Sequence, residues 1–317
     1  MSDKSIRSNN LLGAEHLRAA ERKESAMLMA LTMPAIIVVA LVIIVPVGWL
    51  FSLSFLDGSG QLSLVNYQKM IEYKSYMRVF RTTFNVSFLT TFLCILIGYP
   101  LAYFLSQMPR KYVGLFMLTV LLPFWTSLLV RTYAWLVMLQ RNGLINNFAI
   151  ELGIWDAPVK LAHNLNGTLI GMVHIMLPFL VLPLYAAMQR IDRNTLQAAA
   201  NLGATPVQTF WQVFVPLSLP GVVAGSLIVF VLCLGFYVTP AVLGGGKVIM
   251  VSMQITAILE DQFNWGAASA LGVVLLVATF AVLLLASRFL KLDSVVSGRQ
   301  GDELVKIRRE TEPDHTR

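Results

Sequence analysis

The chain has 317 residues, of which 56% are hydrophobic and only 13% are charged, and its mean hydropathy is +0.69. Soluble domains carry about 25% charged residues, so this composition excludes an ordinary soluble enzyme, a disordered chain and a disulfide-stabilised secreted domain. The two cysteines, Cys94 and Cys233, both lie in apolar runs and have no metal-ligand spacing. The net charge is +7, and its meaning depends on where the basic residues fall along the chain.

Six apolar runs are long enough to cross a bilayer, since a hydrocarbon core of about 30 Å needs about 20 residues of helix. Backbone amides and carbonyls find no water inside a bilayer, so they must bond to each other within a helix. The sequence therefore predicts an all-α membrane protein with six transmembrane helices. In chain order the predicted spans are 27–55, 84–106, 112–139, 167–188, 217–243 and 267–287.

The distribution of lysine and arginine indicates the orientation of the spans, because cytoplasmic loops of membrane proteins are enriched in both. With a cytoplasmic N-terminus, 16 of the 24 basic residues lie on the cytoplasmic side and 7 on the outer side, while Arg131 lies within a span. Both termini are therefore predicted to be cytoplasmic, and the basic charge needs no nucleic-acid partner. The predicted divisions are an N-terminal tail (1–26), the first transmembrane helix with a periplasmic segment (27–83), a transmembrane core (84–290, containing the cytoplasmic loop 189–216) and a C-terminal tail (291–317).

The cytoplasmic loop between the fourth and fifth spans has the pattern of two short helices joined at a glycine. Asn194 is the predicted N-cap of the first helix, with Gln197 at the matching position of a capping box. Gly203 can take the positive φ that a tight turn requires. Thr205 is predicted to cap the second helix, which is expected to end at Pro216.

A helical hairpin of this kind has two interpretations. Small alanines on the first helix let a foreign surface approach closely, and an aromatic ridge that includes Phe210 stiffens the second, so the hairpin suits docking of a partner. An amphipathic connector lying at the membrane interface has the same residue pattern. The pattern alone does not separate these two interpretations.

Several stretches resemble a known family. The sequence Gln197-Ala-Ala-Ala-Asn-Leu-Gly-Ala204, followed by Phe210, Val213, Pro216 and Pro220-Gly221, resembles the EAA motif in permease subunits of binding-protein-dependent ABC importers. Residues 98–103, 122–135 and 243–245 are similar to the polyamine (spermidine/putrescine) branch of that family, and the resemblance extends over residues 65–290. It implies the type I ABC importer permease (MetI-like) fold. It also assigns coupling to an ATPase to Gln197, Ala198, Ala199, Gly203, Ala204, Phe210 and Pro216.

The motif departs from the family pattern at its first residue, where Gln197 stands in place of the usual glutamate. A neutral amide forms hydrogen bonds, but it lacks the charge-assisted strength of a carboxylate paired with a cation. Two explanations stay open. Either the partner ATPase lacks the matching cation, or coupling depends on Gly203 and the alanines.

The resemblance implies an assembly in the bacterial inner membrane of this chain with a second homologous permease, cytoplasmic ATPase subunits and a periplasmic substrate-binding protein. ATP and Mg²⁺ would be bound by the ATPase, so this chain is expected to have no catalytic residue, metal or cofactor of its own. The stretch Gly244-Gly-Gly-Lys-Val248 fits that expectation. Ala241 replaces the first glycine of a phosphate-binding loop, and Val248 replaces its Mg²⁺-binding hydroxyl.

No aspartate or glutamate lies within a predicted span. Ion-coupled carriers normally need an intramembrane ionisable group or an unwound helix. The lack of intramembrane acids therefore disfavours a stand-alone ion-coupled transporter, which is kept as the alternative to an ATP-driven importer. A small cationic substrate would instead be held weakly by aromatic faces and carbonyl oxygens, with acidic residues at the outer mouth. The predicted pathway residues are Trp125, Arg131, Tyr133, Trp135, Phe236, Tyr237, Glu260 and Asp261. Interfacial anchoring of the aromatic residues, snorkelling of Arg131 and simple solvation of the acids remain alternatives.

Overall fold

The computed structural model describes residues 27, 31–57 and 60–311, with side chains described as far as residue 288. Within these residues the regular structure is helical, apart from an isolated antiparallel bridge between Leu56 and Leu62. The predicted all-α class is therefore confirmed. The helices are α1 (Leu31–Ser54), α2 (Val65–Glu72), α3 (Lys74–Gln107), α4 (Arg110–Leu121), α5 (Leu128–Met138), α6 (Leu144–Glu151), α7 (Leu165–Gln189), α8 (Arg193–Asn201), α9 (Pro206–Thr209), α10 (Val215–Leu234), α11 (Val238–Leu243), α12 (Val251–Gln262) and α13 (Trp265–Thr311).

Five stretches of described helix are each long and apolar enough to cross a membrane: Leu31–Ser54, Lys74–Gln107, Leu165–Gln189, Pro206–Leu234 and Trp265–Arg288. A sixth span exists if Arg110–Trp125 and Leu128–Met138 are counted together, although the two parts meet at 97°. The predicted span 112–139 is therefore not one continuous helix. Pro123 lies in the 3₁₀ turn Leu122–Trp125, and the two residues after that turn, Thr126 and Ser127, are not helical, which turns the chain although the sequence stays apolar.

Three other predicted boundaries differ from the structure. The fifth span ends at Leu234 and not at residue 243, because Gly235 caps α10 and the apolar residues after it form the separate short helix α11. The division at residues 83 and 84 falls inside α3. Helix α13 continues past residue 290 to Thr311, while the predicted N-terminal tail lies outside the described residues.

Helices α3, α7 and α10 pack together as the centre of the bundle. Cys94 within α3 lies against the Val173 carbonyl of α7. Further along both helices, near their C-terminal ends, the Gln189 amide donates to the Ser106 carbonyl. These two helices therefore run parallel. Helix α10 runs antiparallel to both, since Tyr99 near the end of α3 bonds to Ser218 near the start of α10. The residues buried between them include Met172, Met176, Leu180, Val229 and Cys233.

Two glycines allow α10 to approach α7 closely. A Cβ atom on Gly221 would lie 2.4 Å from the Cβ of Ala187, and one on Gly225 would lie 3.0 Å from the Leu180 carbonyl oxygen. Such short contacts between helix backbones need residues without side chains. The helix that these glycines contact is therefore α7 of the same chain.

Candidate functional site

Helix α8 begins the loop that carries the EAA-like motif. Its N-cap is Asp192, whose carboxylate accepts a hydrogen bond of 2.9 Å from the backbone N–H of Asn194. The predicted cap at Asn194, with Gln197 completing a capping box, is therefore wrong. Both residue types cap helices well, but the helix begins one residue earlier than Asn194, whose side chain instead donates to Asp192.

The turn after α8 agrees with the sequence prediction. Gly203 has φ +89°, the left-handed conformation that favours glycine, and open space surrounds the position of its missing side chain. Thr205 caps α9 as predicted and forms a complete capping box with Gln208: its hydroxyl accepts from the Gln208 N–H, and its own N–H donates to the Gln208 side chain. Pro206 occupies the first turn of α9, where a missing N–H has no cost.

The second helix of the loop does not end at Pro216. Residues 206–234 form one continuous helix, in which Phe210–Phe214 make a π-helical turn directly before Val215. Within an α-helix a proline lacks one donor, and its ring crowds the carbonyl four residues earlier. A wider π turn relieves that crowding and keeps the helix unbroken. The loop 189–216, which we call the coupling loop after the role that the resemblance implies, therefore joins the fifth span without a break.

The motif residues divide into an outward and an inward set. Gln197, Ala198 and Gly203 are exposed, and Leu202 beside them has 89% of its side chain accessible. Ala199, Ala204 and Phe210 are half-buried against the chain's own helices. Beside the Gln197 amide, the outward set presents the small residues Ala198 and Gly203 and the large apolar side chain of Leu202. Exposed apolar surface of this kind is typical of sites that contact another protein.

Aromatic rings attach the loop to the end of α3, and we call Tyr99, Tyr103, Phe210 and Phe214 the aromatic cluster. The ring of Tyr103 meets Phe210 at 5.1 Å and Phe214 at 5.0 Å between centroids, both edge to face. Phe210 and Phe214 stack at 5.9 Å, and the Tyr99 hydroxyl lies 2.9 Å from that of Ser218. Sequence reasoning missed the two tyrosines as structural partners of the loop, although their spacing of four residues places them on one helix face.

A groove of about 310 Å³ separates the loop from α3. Its walls combine Tyr103 and Gln107 of α3 with Leu196, Ala200 and Phe210 of the loop. Tyr103, Phe210 and Phe214 of the aromatic cluster line the same groove.

The predicted pathway residues are only partly brought together. Arg131 and Phe236 line one cavity of about 200 Å³, with Leu128, Met176 and Phe179 among its other walls. The Nε and Nη1 atoms of Arg131 are buried, and among the described residues they have no hydrogen-bond partner. Arg131 lies one turn after the elbow that breaks the third span, and not at the end of a straight helix.

Trp135 lines a second cavity, of about 530 Å³, between α3, α5 and α7. Its ring meets His174 at 5.5 Å in an edge-to-face arrangement, and the Nδ1 atom of His174 is buried with no hydrogen-bond partner in the described part of the chain. Asn166 also lines this cavity, whose remaining walls are apolar. The sequence alone does not reveal what faces His174 across the bundle.

The other five candidates lie outside these two cavities. Trp125 at the elbow has 86% of its side chain exposed, and Tyr133 and Tyr237 are also exposed. Glu260 and Asp261 are exposed near the end of α12. An acidic mouth and an aromatic pathway formed by all eight residues remain predictions.

Comparisons with known proteins identify the class of membrane protein. The model of the family described as the inner membrane component of binding-protein-dependent transport systems matches residues 24–291. The chain belongs to this family. It is therefore a multi-pass protein of the inner membrane and a permease component of an ABC transport system.

Curated relatives cover most of the chain. The spermidine/putrescine transport system permease protein PotB of Haemophilus influenzae is 35% identical over 244 residues, which are 74% of this chain and 85% of that protein. PotB of Escherichia coli is 32% identical over 231 residues, or 72% and 84% of the two chains. The putative 2-aminoethylphosphonate transport system permease protein PhnU of Salmonella typhimurium is 26% identical over 260 residues, or 80% and 90%.

Two solved structures share the fold. A bacterial alginate ABC transporter, crystallised in complex with an alginate pentasaccharide-bound periplasmic protein, has a TM-score of 0.69 and covers 84% of this chain and 94% of its own. A bacterial ABC transporter involved in alginate import has a TM-score of 0.67, with 85% and 96% covered. Each is 17% identical to this chain, so the likeness concerns the fold. The predicted MetI-like ABC permease fold is confirmed.

Proposed function

We propose that this chain is one of two permease subunits of an ATP-driven polyamine importer, with putrescine or spermidine as substrate. The observation that carries the proposal is the coupling loop, in which α8 exposes its small motif residues while the aromatic cluster attaches the loop to α3 and α10. An ATPase that moves α8 would therefore move two membrane-spanning helices. The names of the relatives that are 32% and 35% identical support polyamines as the substrate class.

The proposed assembly contains a second homologous permease, cytoplasmic ATPase subunits and a periplasmic binding protein. Catalysis, ATP and Mg²⁺ belong to the ATPase in this arrangement, and this chain is non-catalytic. Gln197 lies on the exposed side of α8, where a neutral hydrogen bond to the ATPase replaces the charge-assisted bond that glutamate would form. Gly203 and the exposed alanines then contribute the larger part of the contact.

The proposed topology has six spans with both termini in the cytoplasm, and the bent pair Arg110–Trp125 and Leu128–Met138 counts as the third span. Single cysteines at the exposed positions Asn201 and Asn142 test it, because the native Cys94 and Cys233 are buried and react slowly. A membrane-impermeant thiol reagent should label position 142 from outside intact cells. It should label position 201 only after the membrane is opened, and the opposite pattern contradicts the orientation.

The proposed translocation pathway passes the eight predicted residues: Trp125, Arg131, Tyr133, Trp135, Phe236, Tyr237, Glu260 and Asp261. Two features support it. Arg131 and Phe236 share a cavity, and Trp135 with His174 lines the larger neighbouring one. Weak contacts from aromatic faces suit a conduit, since a tightly held substrate would leave slowly.

The decisive experiment reconstitutes the whole complex in proteoliposomes, with the ATPase on the same side as the coupling loop and binding protein on the other. Uptake of radiolabelled putrescine or spermidine should require ATP, the binding protein and an ATPase that is able to hydrolyse ATP. An ATPase variant that binds but does not hydrolyse ATP is the matched control. Ion-gradient-driven uptake by this chain alone, without ATP, would establish the stand-alone carrier instead.

The substrate is tested separately at the binding protein. Titrations with putrescine, spermidine and 2-aminoethylphosphonate compare two cations with a compound that also carries an anionic group. Preference for either polyamine supports the proposal. Preference for the phosphonate would keep the transport mechanism and replace the substrate class.

A further inference from the structure

Arg131 brings a positive charge into a membrane-spanning segment, and no counter-ion for it lies among the residues that the structure describes. Its Nε and Nη1 atoms are buried and unpaired among the residues that the structure describes. The side chains that line its cavity are otherwise apolar: Phe124, Leu128, Ile175, Met176, Phe179, Leu232 and Phe236. Arg131 as a whole is half-buried, but burying two guanidinium nitrogens without an acceptor is unfavourable, and charged residues at membrane depth are normally paired. A partner for Arg131 is therefore missing among the described residues of the isolated chain.

His174 adds another unpaired nitrogen to the same region. Arg131 and Trp135 are four residues apart on α5 and so lie on one face of that helix. The ring of Trp135 packs against His174 of α7, whose Nδ1 is also buried without a described partner. Three buried nitrogen atoms on two packed helices thus lie at two neighbouring, mainly apolar cavities, and none of them has a hydrogen-bond partner among the described residues.

The chain cannot supply the missing anion from its own membrane-spanning helices. None of the stretches 31–54, 74–107, 110–138, 165–189, 206–234 and 265–288 contains aspartate or glutamate. A second copy of the chain would bring the same helices and therefore no carboxylate at that depth. A cationic substrate cannot compensate Arg131 either, because like charges repel.

We propose that Arg131 forms an intramembrane ion pair with an aspartate or glutamate in a membrane-spanning helix of a second, non-identical permease chain. The inference rests on the proposed function, which supplies that chain. The surface next to Arg131 can receive it, because Leu129 and Val130 on the same helix are each more than half exposed, as is Phe124 at the edge of the cavity. A carboxylate approaching from this side can bond to the planar guanidinium through two parallel hydrogen bonds.

The pair makes the association of two different chains more favourable than self-association. A homodimer of this chain would bury two unpaired guanidinium groups, one from each copy, whereas a heterodimer pairs Arg131 with its carboxylate. Removing one partner of a buried ion pair is costly because the other charge stays unpaired. Arg131 therefore selects the partner chain as well as stabilising the contact.

The test is a charge exchange in the complete complex. Arg131→Glu should reduce both co-purification of the second permease and ATP-driven uptake by about tenfold or more, since two buried carboxylates would then repel each other. Each intramembrane acid of the second permease is replaced by arginine in turn. One of these replacements should restore assembly and uptake to the Arg131→Glu chain, while reducing both when it is combined with the unchanged chain.

Two further variants keep the outcome interpretable. Arg131→Gln removes the charge without adding an opposite one, so the chain should still insert and remain monodisperse while pairing weakens. Arg141→Glu makes the same charge reversal at an exposed position ten residues further on and should leave assembly unchanged. If Arg131→Gln and Arg131→Glu assemble and transport like the unchanged chain, or if no acid-to-arginine replacement rescues, the proposal is overturned.

Failure of this inference differs from failure of the proposed function. If the chain is not one permease of a heteromeric importer, the unchanged chain itself will not co-purify with a second permease or support uptake. If only the ion pair is wrong, the unchanged complex assembles and transports, and residue 131 has no influence. A defect of Arg131→Gln that depends on the anionic lipid content of nanodiscs, and not on an acid of the partner, would also overturn the ion pair.

Discussion

Tyr103 of α3 and Phe210 of the coupling loop meet edge to face, with 5.1 Å between their ring centroids. The same tyrosine also meets Phe214, so one side chain of a membrane-spanning helix contacts two successive turns of the loop. Edge-to-face aromatic pairs contribute about 0.5–1.5 kcal/mol each beyond the burial of their area. Under the proposed mechanism, a displacement of the loop would reach α3 mainly through Tyr103.

Replacing Tyr103 with leucine should uncouple ATP hydrolysis from transport. The substitution removes both aromatic pairs of Tyr103, while the exposed residues of α8 that we propose to contact the ATPase stay unchanged. We expect the complex to assemble and to hydrolyse ATP, while uptake per ATP hydrolysed falls by about tenfold, which corresponds to about 1.4 kcal/mol of lost coupling. Proteoliposomes with simultaneous assays of uptake and phosphate release measure this ratio.

Tyr112→Leu is the matched control for that experiment, because Tyr112 is exposed near the start of α4 and makes no contact with the loop among the described residues. It should leave the ratio of uptake to hydrolysis unchanged. An unchanged ratio for Tyr103→Leu as well would mean that movement reaches α3 by another route.

Gly203→Val should weaken coupling through backbone strain and not through a steric clash. The residue has φ +89°, and nothing lies within 4 Å of the place that a Cβ atom would occupy. The cost is therefore the left-handed conformation itself, about 1–2 kcal/mol for a residue with a side chain. Gly203→Asn should retain more uptake, since asparagine tolerates this conformation better. Transport assays on the assembled complex compare the two variants.

Gly153 provides a control with the same local geometry. It has φ +68° and open space around it, but it follows α6 on the opposite side of the proposed membrane. Gly153→Val should therefore impose similar strain without affecting the coupling of ATP hydrolysis to uptake. Equal losses in both valine variants would indicate a general effect on folding and not a role of the Gly203 turn.

The sequence predicted those features that depend on local chemistry. Apolar length identified the membrane-spanning helices, and the need for positive φ identified the turn at Gly203. It did not predict the 97° elbow after Trp125, because the residues on both sides are as apolar as a straight span. Hydropathy measures the free energy of entering lipid and carries no information on backbone direction.

In the candidate site, even more depends on tertiary packing that the sequence does not reveal. Thr205 and Gly203 were identified correctly because caps and turns involve neighbours in the sequence. The burial of Arg131 without a partner depends on how α5 packs near α7 and α10, so no local pattern contains it. Phe236 was a candidate for its residue type, yet only the tertiary structure places it in the cavity of Arg131.

Gly221→Ala should destabilise the packing of α7 against α10. The added Cβ would lie 2.4 Å from the Cβ of Ala187, so the helices must separate, at a cost of about 1–3 kcal/mol. The same substitution at Gly114 of α4 meets nothing within 4 Å and should stabilise the helix by about 1 kcal/mol or less. Thermal unfolding in detergent should therefore shift in opposite directions for the two variants, and a stabilised Gly221→Ala would contradict the close approach.

Asp192→Ala should destabilise α8 more than Asn194→Ala does. The Asp192 carboxylate accepts the Asn194 N–H at 2.9 Å, and losing such a cap costs about 1 kcal/mol. Asn194→Ala removes only a longer side-chain contact of 3.3 Å to the same carboxylate. Asn201→Ala, at the other end of α8, is the control for a surface substitution. Amide hydrogen exchange across α8 should accelerate most for Asp192→Ala, less for Asn194→Ala and least for Asn201→Ala. If Asn194→Ala accelerates exchange most, Asn194 is the cap and the start of α8 lies further along the chain.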